Sequence, residues 1–259
     1  MSDPSSSTNG KEMPFVEHLL ELRNRLLKII LAVVIIFLVL APFANSLFSV
    51  LAKPLVSLMP ANTQMVAIDV ASPFLTPFKL TLVLSIFFTI PLILYHFWAF
   101  VAPGLYRHEK KLIFPLLISS TFLFYLGMAF AYYAVFPLVF GFMIYVTPEG
   151  VEMMTDISRY LDFVLKLFFA FGVAFEVPVA TILLVWIGIV TPESLAKKRP
   201  FIILGALVIG MLMTPPDVIS QIMLAVPIWL LFEVGLFFSR FILAKSSENE
   251  EKTDLTTLD

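Results

Sequence analysis

Long apolar runs separated by short charged segments dominate the hydropathy pattern of the chain. The first run, from Ile29 to Ala52, contains 24 consecutive residues without a charge. A cleavable leader has an apolar core of only about 7–15 residues, whereas roughly 20 apolar residues cross a bilayer as a helix. We therefore expect this run to stay in the membrane rather than to be removed.

Six runs of this kind predict six transmembrane helices. They occupy residues 26–43, 78–100, 112–136, 162–188, 201–213 and 218–238. The last two are at the short limit for crossing a hydrocarbon core of about 30 Å, so a single re-entrant hairpin is the alternative. We prefer two short spans, which would thin the bilayer locally, because basic residues at 197–199 and Arg240 flank the pair. Prolines within the spans, at 91, 115, 178 and 227, are expected to kink them.

The distribution of Lys and Arg predicts the orientation of these spans. Thirteen of the 17 basic residues lie at the two termini, in the second-to-third loop and in the fourth-to-fifth loop. The other four lie around the segments 44–77 and 137–160, which are then exported. The positive-inside rule places both termini in the cytoplasm.

Composition supports a membrane protein and narrows its chemistry. Hydrophobic residues make up 59% and charged residues 14%, against about 45–50% and about 25% in soluble domains. We expect one membrane domain over residues 13–243, with polar, disordered tails at 1–12 and 244–259. The chain has no cysteine, which excludes disulfides, thiol catalysis and cysteine-ligated metals.

Motifs of catalysis and nucleotide binding are missing from the sequence. It contains no Gly-x-Ser, no His-Glu-x-x-His, no Gly-x-Gly-Asp and no Gly-x-x-x-x-Gly-Lys. We therefore expect a protein that is not an enzyme and that needs no cofactor or metal.

Two carboxylates fall inside predicted spans. Glu176 lies in the fourth span and Glu233 in the sixth. An ionised carboxylate is costly in lipid, so Glu176 should be neutral, paired or in a wet cavity. It forms either a polar site facing a groove or a structural hydrogen bond between helices. Glu233 is expected to pair with Arg240 or to reach the membrane surface.

Other acids lie near the expected cytoplasmic surface. Glu17 and Glu21 share one face of a helix that begins near Pro14, and Arg25 follows one turn later. Glu21 and Arg25 can therefore form an ordinary surface ion pair. Glu109 is an acid within a basic loop. Taken alone, such a loop indicates only that the segment lies on the cytoplasmic side of the membrane.

Seven strings resemble, in order, motifs of the TatC family of the twin-arginine protein translocase. The resemblance covers about residues 13–243 and implies an all-α, concave bundle of six transmembrane helices with exported loops that form a cap. The strings are His18–Leu26, Asp69–Phe74, Tyr95–Glu109, Phe124–Phe130, Phe171–Pro178, Lys198–Pro200 and Thr214–Asp217.

The resemblance also implies a binding site for the twin-arginine signal peptides of folded cargo. Glu21 and Glu109 would be the carboxylates that meet the two arginines, with Arg23 and Phe100 in the same patch. The chemistry agrees, because a guanidinium is planar and always charged and matches a carboxylate in a bidentate manner.

Further residues match family positions of other kinds. Glu176 matches a polar residue of the concave membrane face. The matching loop positions are Pro54, Asp69 and Asp217, and the surface where single-span TatA and TatB subunits dock would include Met211, Thr214 and Gln221. Gln221 is also placed to hydrogen-bond across helices. Glu17 does not match the motif acid, and His96 is interpreted as structural.

These observations favour a receptor and core subunit that exports folded proteins across the cytoplasmic membrane and is driven by the proton-motive force. Self-association and contact with lipid are expected, and nucleic acid is not. The main alternative is a small-solute, proton-coupled secondary transporter that uses Glu176. The lack of an internal repeat weakens that alternative. A purely structural scaffold is a third hypothesis.

Overall fold

The part of the chain that the structure describes is almost entirely helical. The computed structural model describes residues 9–57, 65–101, 113–148, 154–213 and 218–256. A 3-10 turn, Ala41–Phe43, joins the first two helices. The helices are α1 Asn9–Leu40, α2 Ala44–Val56, α3 Ser72–Val101, α4 Ile113–Phe130, α5 Phe136–Tyr145, α6 Ile157–Ala174, α7 Val177–Trp186, α8 Pro192–Lys197, α9 Arg199–Met213 and α10 Val218–Thr256.

Five helical stretches within the described residues are long and apolar enough to cross a membrane. They are Leu19–Val56, Ser72–Phe100, Phe114–Tyr145, Ile157–Trp186 and Gln221–Phe241. Helix α9 is apolar but has only 15 residues, which corresponds to about 22 Å of helix. The structure therefore confirms an all-α polytopic fold, while the count of six spans stays a prediction.

Several helices extend beyond the predicted spans. Helix α2 and the first turn of α3 lie in the segment 44–77 that was interpreted as an exported connection, and α5 continues to Tyr145. Pro42 lies at the start of a helical turn, where a missing N–H costs nothing, whereas Pro54 lies inside α2 near its end and removes one helical hydrogen bond without ending the helix.

Helix also enters both expected tails. Helix α1 begins at Asn9, and α10 continues to Thr256. After Gly235 the sequence of α10 contains no glycine or proline and is rich in good helix formers such as Glu and Lys, so nothing in its local propensity ends the helix. The division into one membrane domain and two tails remains a prediction.

Proline interrupts the fourth span at one point. Helix α6 ends at Ala174 and α7 begins at Val177, because Pro178 has no N–H to donate to the carbonyl of Ala174. Pro91 and Pro227 instead lie inside the uninterrupted helices α3 and α10. The break leaves Glu176 at the junction between two helices.

Helix α6 lies at the centre of the bundle and packs against α3 and α4. Its buried side chains include Leu161, Val164, Leu167 and Phe171, each no more than 1% exposed. Aromatic rings continue this core, with ring centroids of Phe136 and Phe168 separated by 5.2 Å and those of Phe87 and Phe168 by 6.2 Å. Ring pairs at these separations stabilise a core beyond their buried area.

Two glycines allow α4 and α6 to approach closely. A Cβ atom on Gly127 would lie 2.4 Å from the carbonyl oxygen of Phe171, and one on Gly172 would lie 2.6 Å from the ring of Phe124. Small residues at helix crossings are the usual means of close packing in membranes, where dispersion and not water drives association. The α4–α6 crossing therefore requires both glycines.

We expect Gly127→Ala to destabilise the fold by about 1–3 kcal/mol, because its methyl group would meet backbone that must move. Gly141→Ala is the matched control, since a Cβ at Gly141, in the same apolar helical stretch Phe114–Tyr145, meets nothing within 4 Å. Unfolding of both variants in lipid-like detergent would measure the difference. Equal stability of the two variants would contradict this packing.

Candidate functional site

Arg25 joins α1 to the last turns of α3. Its Nε and Nη2 atoms donate to Oε1 of Glu21 at 3.0 and 2.5 Å. Its Nη1 lies 3.4 Å from Nδ1 of His96, and its Nη2 donates to the carbonyl of Ala99 at 3.4 Å. We call these four residues, Glu21, Arg25, His96 and Ala99, the Arg25 cluster. The expected Glu21–Arg25 ion pair is confirmed, and the cluster places Glu21 at the helix end that carries Phe100.

Glu21 remains accessible within this cluster. Its side chain is 41% exposed, whereas that of Arg25 is 21% exposed. Arg25 therefore forms the inner partner of the pair and presents the carboxylate outward. Local spacing revealed this ion pair, but the contact with His96 joins residues 71 positions apart and had no signal in the sequence.

The remaining members of the predicted binding patch differ in their placement. Phe100 is half-buried and directly follows Ala99. Arg23 is exposed and contacts Asn24 Oδ1 at 3.3 Å; two residues from Glu21, it projects from a different side of α1. Glu109 lies outside the described residues.

Glu176 lies at the junction of α6 and α7, where Pro178 interrupts the span. Its Oε1 atom is buried and has no hydrogen-bond partner within the described part of the chain, and the same holds for the Oγ atom of Ser120. Ser120 on α4 is the polar side chain that approaches the Glu176 carboxyl. A hydrogen bond between the two would still leave acceptor positions on the carboxyl group, so this pair retains capacity for an additional group.

The opposite end of the bundle is closed by a cap. Val66 and Asp156 form a parallel bridge, with Val66 N–H donating to the Thr155 carbonyl at 3.0 Å and Ile157 N–H to the Val66 carbonyl at 2.9 Å. The Asp156 carboxylate also accepts from the backbone N–H of Arg159 and so caps α6. We call this end the capped end.

Asp69 belongs to the same cap through its backbone. Its carbonyl accepts from the N–H of Ser72 at 3.1 Å and from the Oγ of Ser72 at 2.7 Å. The carboxylate of Asp69 takes no part in these bonds, and the residue is exposed. Asp156 thus performs the capping role in this region, which the sequence analysis did not detect.

Pro54 creates a second connection at the capped end. It has no N–H, so the carbonyl of Val50 loses its usual helical donor. The hydroxyl of Tyr132 donates to that carbonyl at 3.0 Å, and the buried hydroxyl of Tyr160 donates to the carbonyl of Leu51 at 2.8 Å. Two tyrosines therefore hold the last turn of α2 against the third and fourth spans.

We expect Tyr132→Phe to cost about 1 kcal/mol of stability, since it leaves the Val50 carbonyl without a donor. The cost should shrink in a Pro54→Ala background, where the new N–H at position 54 can donate to Val50. Unfolding of the two single variants and the double variant gives the coupling energy. Strictly additive costs would contradict the compensation.

Glu233 pairs with Arg199, and the expected pairing with Arg240 is wrong. Arg199 Nε donates to Oε1 of Glu233 at 2.6 Å, and Nη2 donates to Oε2 at 2.7 Å. The packing of α9 against α10 brings the start of α9 beside Glu233, which spacing along α10 alone does not reveal. This bidentate geometry is the strongest that Arg and a carboxylate form.

A second contact joins α9 to α10 about two helical turns further along α9. The side-chain amide of Gln221 donates to the carbonyl of Leu207 at 2.9 Å, which confirms the expected hydrogen bond across helices. A Cβ on Gly210 would lie 2.9 Å from the carbonyl oxygen of Gln221, so the backbones are in close contact there. Met211 is 53% exposed on the outer side of α9. Thr214 and Asp217 lie outside the described residues.

We expect Arg199→Glu to loosen α9 from α10, because it places two carboxylates together where a partly exposed ion pair stood. Adding Glu233→Arg should restore most of the loss. The loosening is measured in lipid as the protease sensitivity of the connection between α8 and α9 in both variants. The contrary result is a double variant that is no better than Arg199→Glu alone.

Together, these features define a polytopic α-helical membrane protein with polar clusters at the ends and breaks of its helices. The chain belongs to the TatC family of Sec-independent protein translocase proteins, since the family model matches residues 17–227. This confirms the resemblance that the seven sequence strings carry.

Individual relatives agree over nearly the whole chain. The Sec-independent protein translocase protein TatC of Escherichia coli (strain K12) is 56% identical over 238 residues, which is 92% of each chain. That of Azotobacter chroococcum mcd 1 is 59% identical over 230 residues, covering 89% of this chain and 90% of the relative. A crystal structure of the twin arginine translocase receptor TatC matches with a TM-score of 0.78 and 37% identity, over 86% of this chain and 98% of that chain. None of these supports the small-solute transporter hypothesis.

Proposed function

We propose that this protein is the signal-peptide receptor and core subunit of a twin-arginine translocase that exports folded proteins across the cytoplasmic membrane. The Arg25 cluster is the observation that carries the proposal. It holds an exposed carboxylate, Glu21, at the point where α1 meets the end of α3. The solved relative is itself a twin arginine translocase receptor, which supports the same function here.

The proposed site reads guanidinium groups by charge and shape. A carboxylate has about four acceptor positions on two oxygens, so one carboxylate can accept from more than one guanidinium group. An arginine of the incoming peptide would share Glu21 with Arg25, and Glu109 would meet the second arginine. Lysine cannot reproduce this planar, bidentate contact, so the site would prefer paired arginine.

Arg25 also has a role in selectivity. A guanidinium already next to Glu21 repels a single weakly bound cation, so only a peptide that engages both acids would gain enough to bind. Arg23 and Phe100 would complete the patch, the first near the peptide backbone and the second beside its apolar segment.

The segment that follows the two arginines would lie along the bundle toward Glu176. Glu176 and Ser120 retain unused hydrogen-bonding capacity at the only described helix break that carries a carboxylate. Backbone groups of an inserted peptide need partners in a site without bulk water, and these side chains would supply them.

Single-span TatA- and TatB-type subunits would dock on α9 and the first half of α10. The outer side of α9 is apolar and exposed, with Leu204, Val208, Met211 and Leu212 each more than 40% exposed. The proposed topology has six spans with both termini in the cytoplasm, α9 being the short fifth span. The proposal also includes self-association and coupling to the proton-motive force. It includes a role for the loop positions Pro54, Asp69 and Asp217.

We expect Glu21→Gln to weaken binding of a twin-arginine peptide about tenfold or more, which is at least ~1.4 kcal/mol, and to abolish the preference over a twin-lysine peptide. Glu109→Gln should act in the same way. Binding of a fluorescent peptide to the full chain in nanodiscs measures both effects.

Glu193→Gln is the matched control, because Glu193 is an exposed acid at the start of α8, away from the cluster. It should bind both peptides as the unmodified chain does. Unchanged arginine preference in Glu21→Gln, or an equal loss in Glu193→Gln, would contradict the proposed site.

A further inference from the structure

We propose that a groove at the capped end binds one phospholipid with an ethanolamine headgroup. The groove has a volume of about 460 Å³ and is formed by α1, by the first part of α3, by the start of α6 and by Asp69. It lies at the end opposite to the Arg25 cluster and is separate from the peptide-binding site proposed above.

The mouth of the groove carries one cation, Lys79, and one carboxylate, that of Asp69. Lys79 forms an ion pair with Asp162 of α6, and the two side chains are 55% and 47% exposed. An ammonium group has three donors, so this pair leaves Lys79 able to bind a second anion. Helical side chains lean toward the N-terminus, which directs Lys79 toward Ser72 and Asp69.

Asp69 supplies the complementary charge. Its backbone carbonyl is used by Ser72, whereas its exposed carboxylate makes no hydrogen bond or ion pair with the described residues. The two charges of the mouth thus match a headgroup in which a phosphate and a primary ammonium lie a few bonds apart.

The interior of the groove suits an acyl chain. Phe37, Leu75, Leu82 and Leu161 line it. Three hydroxyl groups lie in its wall: Thr76 Oγ1 and Ser158 Oγ lie 3.0 Å apart and satisfy each other, and Ser72 Oγ donates to the Asp69 carbonyl. The wall therefore offers an apolar surface with no unpaired hydroxyl, and burial of each methylene group contributes about 0.8 kcal/mol.

Charge complementarity selects among phospholipids. Phosphatidylglycerol would meet Lys79 but would bring a net negative charge beside Asp69 and Asp162. Phosphatidylcholine is zwitterionic, but its quaternary ammonium cannot donate a hydrogen bond to Asp69. Phosphatidylethanolamine satisfies both groups, because its phosphate accepts from Lys79 and its ammonium donates to Asp69.

Photo-labelling tests this assignment. The full chain is placed in nanodiscs with phosphatidylethanolamine that carries a photoreactive acyl chain, and labelled residues are mapped by mass spectrometry. Matched phosphatidylglycerol and phosphatidylcholine probes are run in parallel. We expect phosphatidylethanolamine to label the residues of the groove about fivefold more than either, as the loss of one charge-assisted hydrogen bond implies.

Three variants and a control separate the contributions. Lys79→Gln and Asp69→Asn should each reduce labelling of the groove severalfold, and Leu82→Trp, which fills the apolar part and keeps both charges, should reduce it as well. Lys53→Gln is the control, since Lys53 is an exposed lysine of α2 outside the groove. It should leave labelling unchanged.

Several results would overturn the assignment. They are equal labelling by the three lipids, an equal loss in Lys53→Gln, undiminished labelling in all three groove variants, and displacement of the lipid label by a twin-arginine peptide, which would make the groove a polypeptide site. Binding of that peptide at the Arg25 cluster is measured separately and is expected to be unaffected by Leu82→Trp.

Discussion

The architecture depends on one constraint: within hydrocarbon, every backbone donor or acceptor that leaves the helical pattern must find a partner in the protein. Pro54 and Pro178 each deprive a carbonyl of its donor. At Pro54 the hydroxyl of Tyr132 replaces the missing N–H on the Val50 carbonyl. At Pro178 the span breaks, and Glu176 lies at this break between α6 and α7. Polar chemistry therefore concentrates at the sites where helices are interrupted or end.

The same need to pair polar groups explains how the proposed receptor site is built at the end of the bundle. Arg25 contacts a carboxylate on its own helix and both a ring nitrogen and a carbonyl on α3. It thereby fixes the angle between two helices and presents Glu21 toward the medium. Arg199 and Glu233 join α9 to α10 in a comparable way.

Some of this could be predicted from the sequence and some could not. The apolar runs predicted helices in the correct order because lipid imposes a minimum length, and the four-residue spacing predicted the Glu21–Arg25 pair. The predicted partner of Glu233, Arg240, was wrong. Arg240 is near Glu233 in sequence, whereas helix packing brings Arg199 near it in space. The contact between Tyr132 and Val50 spans 82 positions and follows from tertiary structure alone. The capping role of Asp156 gave no signal, because the loop that Asp156 contacts lies two spans earlier in the chain.

The distance between positions 21 and 109 tests the central claim most directly, since that claim requires both acids to face one binding surface. The chain has no cysteine, so Glu21→Cys combined with Glu109→Cys creates a single defined pair. A short bismaleimide linker applied to the protein in nanodiscs should join the two. A control pair, Glu21→Cys with Asp69→Cys, spans opposite ends and should not react. Failure of the first pair to join, with both thiols reactive toward single maleimides, would contradict the account.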